Sequence, residues 1–246
     1  MLRFKHDIDH KLIHKENALD VLSFYEVVHS RRDVRSEFIS DPIDKHVLMR
    51  VLSAAHSAPS VGMTQPWDFI LIDSASIKSE FYNHVYGERE AFAQKLPPDR
   101  KEVFAPIKIE GIKEAALGIV VTYDPERGGK RVLGRNTIDE TGIFSACLAI
   151  ENLWLAATAE GYGVGWVSFY NESFLARLLD VQSPIRPIAW LCFGPVTHLE
   201  DVPDLERFGW RSRRPLSDAI HWNSFLNQSQ QDDSNITDAF ASLKKI

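Results

Sequence analysis

Val47, Leu48, Val51, Leu52 and Ala55 recur at helical spacing, which predicts an amphipathic helix. Asp41-Pro42 supplies its start signal, with Asp41 as N-cap and Pro42 at the first helical position, and Pro59 ends it. An earlier helix is expected from about Ala18 to the arginines near Arg31. Residues 141–160 are apolar on most helical faces, which predicts a central helix buried within the fold and closed by Gly161 and Gly163. Four short apolar runs, 69–72, 117–123, 164–169 and 188–193, read as strands. The turn residues Asp124-Pro125 and Gly128-Gly129 close the second, and Asn171 can cap a short helix between the last two. Residues 74–113 are charged and broken by Pro97-Pro98, so helices around a covering segment are expected there. Strands separated by helices indicate an α/β or α+β layered fold.

The first twenty and last twenty residues are polar and are expected to be peripheral. Thirty-four acidic against 28 basic residues in a chain of 246 give a formal charge of −6, which weighs against a nucleic-acid partner. Any anion site must then be a local cluster of arginines. The two cysteines, Cys147 and Cys192, lack C-x-x-C spacing and read as reduced, buried thiols of a cytoplasmic protein. No apolar h-region opens the chain, and no uninterrupted apolar run approaches the roughly 20 residues of a membrane helix, so a soluble protein without a membrane partner is expected. Neither G-x-G-x-x-G nor G-x-x-x-x-G-K-[ST] occurs, which argues against a Rossmann domain or a P-loop.

Residues 30–35 read Ser-Arg-Arg-Asp-Val-Arg. On a helix, Arg31 and Arg35 would lie at i, i+4 and Arg32 and Arg35 at i, i+3. Three guanidiniums so placed make a phosphate site; a solvated basic helix end is the bland alternative. Asp33, among three arginines, is expected to stay ionised, either as a simple ion-pair partner or as a catalytic base. A second basic cluster, Arg211-Ser212-Arg213-Arg214, becomes interesting only if the fold unites the two. Residues 56–67 combine small residues, Ser60, Gln65, two prolines and Trp67, a composition that suits close approach to a ligand. His6, His10 and His14 share helical spacing that could bind zinc or nickel, but they sit among solvated charges, and no functional metal is expected.

In this order the pieces resemble the nitroreductase (flavin reductase-like) family: Arg31 to Arg35, Ala58 to Trp67, Gly161 to Ser168, and Arg211 to Arg214. Finer features are similar to one branch, the dimethylbenzimidazole synthases. They are Arg-Arg-Asp-Val-Arg at 31–35, Ala-Pro-Ser-Val-Gly at 58–62, Leu-Gly-Arg at 133–135, Glu-Asn-Leu-Trp-Leu-Ala-Ala at 151–157, Gly-Val-Gly-Trp-Val-Ser at 163–168 and Gly-Trp-Arg-x-Arg at 209–213. Thr64 departs from the pattern, standing where a methionine is common, and residues 93–106, in the expected lid, are idiosyncratic.

The resemblance implies an α+β fold, a three-layer sandwich with a central mixed sheet and a buried central helix. It spans about residues 21–225, between an N-terminal extension (1–20) and a C-terminal tail (226–246). It also implies a homodimer with flavin mononucleotide (FMN) at the subunit interface. Arg31, Arg32 and Arg35 would hold the phosphate and ribityl, with Ser60 nearby and Arg211 and Arg213 reaching the same region. Asp33 and Ser168 are the residues the resemblance ties to chemistry. The implied reaction is oxygen-dependent fragmentation of reduced FMN to 5,6-dimethylbenzimidazole and erythrose 4-phosphate for cobalamin biosynthesis, molecular oxygen being co-substrate and a separate NAD(P)H-flavin reductase a candidate supplier of reduced flavin. Two alternatives stay open: an NAD(P)H nitroreductase or quinone reductase that keeps its FMN, and a non-catalytic flavin-binding protein.

Overall fold

A computed structural model describes residues 24–39, 41–221 and 223–226. The chain divides into two compact units after Asp204, and the fold below is that of the first. Its sheet has four strands: β1 (Trp67–Ile72), β2 (Leu117–Tyr123), β3 (Tyr162–Val167) and β4 (Arg186–Pro195). They lie in the order β1-β2-β4-β3. β2 matches its predicted bounds because it is apolar but for Thr122 and every residue of it is buried.

Alternation sorts the side chains of β2 and β4 onto two cores. Leu117, Ile119, Val121, Ala189, Leu191 and Phe193 face one side; Val120, Trp190 and Cys192 face the other. Helices α2 (Lys45–His56) and α5 (Thr141–Ala159) cover the first core. Helices α3 (Ala75–Lys95) and α6 (Glu172–Leu178) cover the second, and α4 (Pro98–Phe104) follows α3 with Pro98 at its first position. On this second side the Trp190 ring stacks on Phe81 at 4.0 Å. Gly118 leaves it room: a Cβ there would lie 2.7 Å from the ring. These are the three layers of an α+β sandwich.

Three expectations are corrected. The sheet is antiparallel throughout its named strands, and the parallel component of the expected mixed sheet is one isolated bridge, Asp33 to Val164. The N-cap of α2 is Asp44, whose carboxylate accepts the His46 N–H at 2.7 Å; Asp41-Pro42 lies one turn too early to do so. Helix α5 is buried on one side only. Its buried face carries Ala146, Ala149, Ile150, Leu153 and Ala157, whereas Phe144, Cys147 and Leu148 are exposed. By length and composition α5 could cross a membrane, yet half of it is buried in this fold. Apolarity on all faces therefore marks a helix with an apolar side left outside this chain. The expected terminal extensions and the His6, His10, His14 spacing lie outside the described residues.

Candidate active site

β3 is an edge strand, and an open edge leaves alternate backbone groups without strand partners. The chain leaving α1 (Phe24–Ser30) runs along that edge. Val34 N–H donates to Val164 C=O at 3.0 Å. One residue pair further, side chains replace backbone. Asp33 Oδ1 accepts the Trp166 N–H at 2.9 Å, and Arg35 Nη2 donates to Trp166 C=O at 2.8 Å. Arg35 also grips Asp33 with both arms, Nη1 to Oδ1 at 2.6 Å and Nη2 to Oδ2 at 2.5 Å. Gly165 makes this approach feasible, since a Cβ there would sit 2.1 Å from Val34 C=O and 2.4 Å from Arg35 Nη1.

Residues 31–35 are therefore not helical, and the three arginines do not share a helix face. Helix α1 stops at Ser30 because the following segment is recruited by a strand edge more than 120 residues away in sequence. Arg31 lies over the Trp154 ring at 4.9 Å and its Nε is 4.0 Å from Glu151. Arg32 turns back on the chain, donating to the carbonyls of His29, Arg31 and Asp201. Arg35 is buried, and its four terminal N–H groups go to Asp33, Val34 and Trp166.

Asp33 keeps nearly half of its side chain exposed, 47%. Ser168 lies two residues beyond Trp166, ~6.7 Å of strand. It is exposed, and its hydroxyl has no hydrogen-bond partner among the described residues. The two residues singled out for chemistry thus follow one another along one strand edge and its exit. Beside Ser168 opens a cavity of about 270 Å³, walled by Ile143, Trp166, Tyr170 and Ile188 and rimmed by the Glu172–Arg186 ion pair at 2.8 Å. Burial is the main cause raising the Tyr170 phenol above its ordinary range, with the Glu172 charge adding to it, and the hydroxyl donates to Pro187 C=O at 3.3 Å. Phe169 packs edge-on against Phe92 of α3 at 5.4 Å, which ties the residue after Ser168 to the covering helices.

Ser60 opens a tight loop whose residues Gly62, Met63 and Gln65 all have positive φ. Its Oγ accepts the Gln65 N–H at 3.0 Å, and Ser145 Oγ on α5 accepts the Val61 N–H at 3.0 Å. At the other end of α5, Trp154 Nε1 donates to Arg32 C=O at 3.0 Å. Ser145 and Trp154 are about 13.5 Å apart along the axis and about 180° apart around it. Within one chain α5 therefore holds the Ser60 loop and the Arg31 segment apart. Arg211 and Arg213 are exposed residues of the second unit. Among the described residues no group of three or more His, Cys, Asp or Glu is placed to hold a metal.

Sequence reasoning assigned no role to Trp154 or Gly165 and did not foresee the Asp33–Arg35–Trp166 arrangement. Gly165 carried a usable signal, because glycine inside a strand marks close backbone approach.

Comparison with known proteins places these features in context. A profile of the nitroreductase family matches residues 28–195. A 5,6-dimethylbenzimidazole synthase of Rhodospirillum rubrum is 40% identical over 185 residues, covering 75% of this chain and 87% of that protein. One of Rhodobacter capsulatus is 36% identical over 190 residues, covering 77% and 91%. Among solved structures, iodotyrosine deiodinase bound to FMN and 3-iodo-L-tyrosine superposes with a TM-score of 0.65 at 20% identity, over 82% of this chain and all of that one. A BluB-like flavoprotein of Clostridium difficile 630 gives 0.62 at 19%, with the same coverage. These two likenesses concern the fold.

Proposed function

The chain belongs to the nitroreductase family, and from that premise we propose that it is a 5,6-dimethylbenzimidazole synthase acting in cobalamin biosynthesis. Its substrate is reduced FMN, which it fragments with molecular oxygen to dimethylbenzimidazole and erythrose 4-phosphate. Two relatives of that name at 36–40% identity over most of their length support the reading. The observation that carries it lies at the edge of β3: an exposed carboxylate held in place on Trp166, and two residues further along the chain an exposed serine that lines a cavity. Carbon–carbon cleavage in a ribityl chain needs a positioned base to take up a proton.

The residues fit the flavin substrate. Arg31 offers the phosphate end a guanidinium held by a ring and one long ion pair. Arg32 adds its charge while bracing the backbone. Asp33 accepts a ribityl-side proton, and Ser168 holds or relays a proton near the ring system.

Ser60 reaches this site from a second copy. The exposed face of α5, with Phe144, Cys147 and Leu148, lies between the edge that holds the Ser60 loop and the edge that holds Arg31. Two copies packed antiparallel on that face set the Ser145 end of one helix beside the Trp154 end of the other. A homodimer so formed sets Ser60 of one copy at the same level along the α5 axis as Arg31 of its mate. A separate NAD(P)H-flavin reductase supplies the reduced flavin.

The test compares Asp33→Asn and Ser168→Ala with the wild type. Both variants should bind FMN within a few-fold of the wild-type affinity while forming at least 100-fold less dimethylbenzimidazole, the lower range for loss of a positioned acid–base group. Wild-type product rates in Asp33→Asn would contradict the base assignment.

A further inference from the structure

The terminal N–H groups of Arg35 are all engaged within the chain. The residue is 7% exposed, and the partners of these four groups are Asp33 Oδ1, Asp33 Oδ2, Val34 C=O and Trp166 C=O. We infer that Arg35 is a positioning residue for the Asp33 carboxylate, and that Asp33 Oδ2 is the oxygen that receives the proton. This rests on the synthase reading for its reaction, but the geometry stands on its own.

Each carboxylate oxygen can accept about two hydrogen bonds. Oδ1 accepts two, from Arg35 Nη1 at 2.6 Å and from the Trp166 N–H at 2.9 Å. Oδ2 accepts one, from Arg35 Nη2. The remaining acceptor position on Asp33 is therefore on Oδ2, on a side chain 47% exposed. A planar guanidinium is suited to this task because its two parallel N–H vectors fix both the distance and the plane of a carboxylate. A lysine ammonium would hold one oxygen and leave the plane free to turn. The second pair of Arg35 donors, on Val34 C=O and Trp166 C=O, anchors the fork to both flanking chains. The carboxylate is thus held from three directions, with one acceptor position presented outward.

A phosphate contact and a positioning role make opposite predictions. Wild type, Arg31→Gln, Arg35→Lys, Arg35→Met and Asp33→Asn would be titrated with FMN and with riboflavin, which lacks the phosphate, following flavin fluorescence. Dimethylbenzimidazole formation from reduced FMN in air would be measured on the same preparations, with folding checked by circular dichroism. Arg31→Gln should lose most of the preference for FMN over riboflavin. Arg35→Met should keep that preference within about two-fold and yet make product as slowly as Asp33→Asn. Arg35→Lys should recover part of the rate, and the double variant Asp33→Asn/Arg35→Met should be no slower than either single one, as expected of groups acting as a unit.

A ten-fold or larger loss of FMN preference in Arg35→Met, or product at the wild-type rate, would overturn the inference. If Arg35→Met does not fold, Arg35→Lys carries both readouts: preserved FMN preference with a reduced rate supports positioning, and lost preference contradicts it. If the wild type forms no product, the synthase reading fails, and the FMN-to-riboflavin ratio still decides whether Arg35 contacts phosphate.

Discussion

Replacing Gly165 by alanine tests the closeness of residues 33–35 to β3. The added methyl would lie 2.1 Å from Val34 C=O and 2.4 Å from Arg35 Nη1, where ordinary contact begins at 3.4 Å. The obstacle at 2.1 Å is backbone, so the segment must retreat by about 1 Å or more. That breaks or stretches the Val34-to-Val164 bond, the Arg35-to-Trp166 bond and the Trp166-to-Asp33 bond. A neutral hydrogen bond contributes about 1 kcal/mol and one to a charged group about 1.5–3; alanine returns about 0.4–1 by restricting the unfolded chain. The expected net loss is about 3–6.5 kcal/mol, which for a chain this size lowers Tm by roughly 6–26 °C. Gly87, inside α3, is the control, because a Cβ there would meet no atom within 4 Å: Gly87→Ala should gain up to about 1 kcal/mol. Thermal unfolding by circular dichroism reads both. A Gly165→Ala protein as stable as the wild type would refute the close packing on which the Asp33 geometry depends.

Further outcomes follow from the same structure. Phe144→Glu combined with Leu148→Glu on the exposed face of α5 should yield a folded monomer in sedimentation analysis with at least ten-fold weaker FMN binding; an intact dimer would exclude this face as the interface. Burial pushes the Cys192 thiol up to about 12 from 9.0. Unfolded chains therefore lose this proton at lower pH than folded ones, and stability should fall as pH rises from about 9 to about 12, by at most about 1.4 kcal/mol per pH unit; Cys192→Ala would flatten that part of a denaturation series. Glu160 titrates below its ordinary value because it accepts two hydrogen bonds from Arg50, each 2.7 Å. Its contribution is present above about pH 4.5 and is lost as pH falls through the depressed value, so Glu160→Gln should lessen the acid sensitivity of thermal unfolding in that window.

Elements whose signal is local were legible in the sequence. Leu117–Tyr123 is apolar but for Thr122 and folds as read. Thr141–Ala159 was recognisable as a helix, but its exposed apolar side was not, because periodicity cannot tell a covered apolar side from an uncovered one. The arginine segment was misread for a different reason. Arg31, Arg32 and Arg35 at helical spacing look like one surface, yet the conformation is set by Val164 and Trp166, which sequence proximity does not connect to them. Resemblance named Asp33 and Ser168 together; in the fold one is held by Trp166 and the other lies two residues beyond it in the chain.

The proposed activity rests most directly on the fate of the flavin. FMN would be reduced anaerobically, mixed with the protein and exposed to air, and the small molecules separated by chromatography and identified by mass spectrometry. The account predicts loss of flavin with dimethylbenzimidazole appearing in proportion. Quantitative return of oxidised FMN, from protein shown to be folded and to bind flavin, would contradict it.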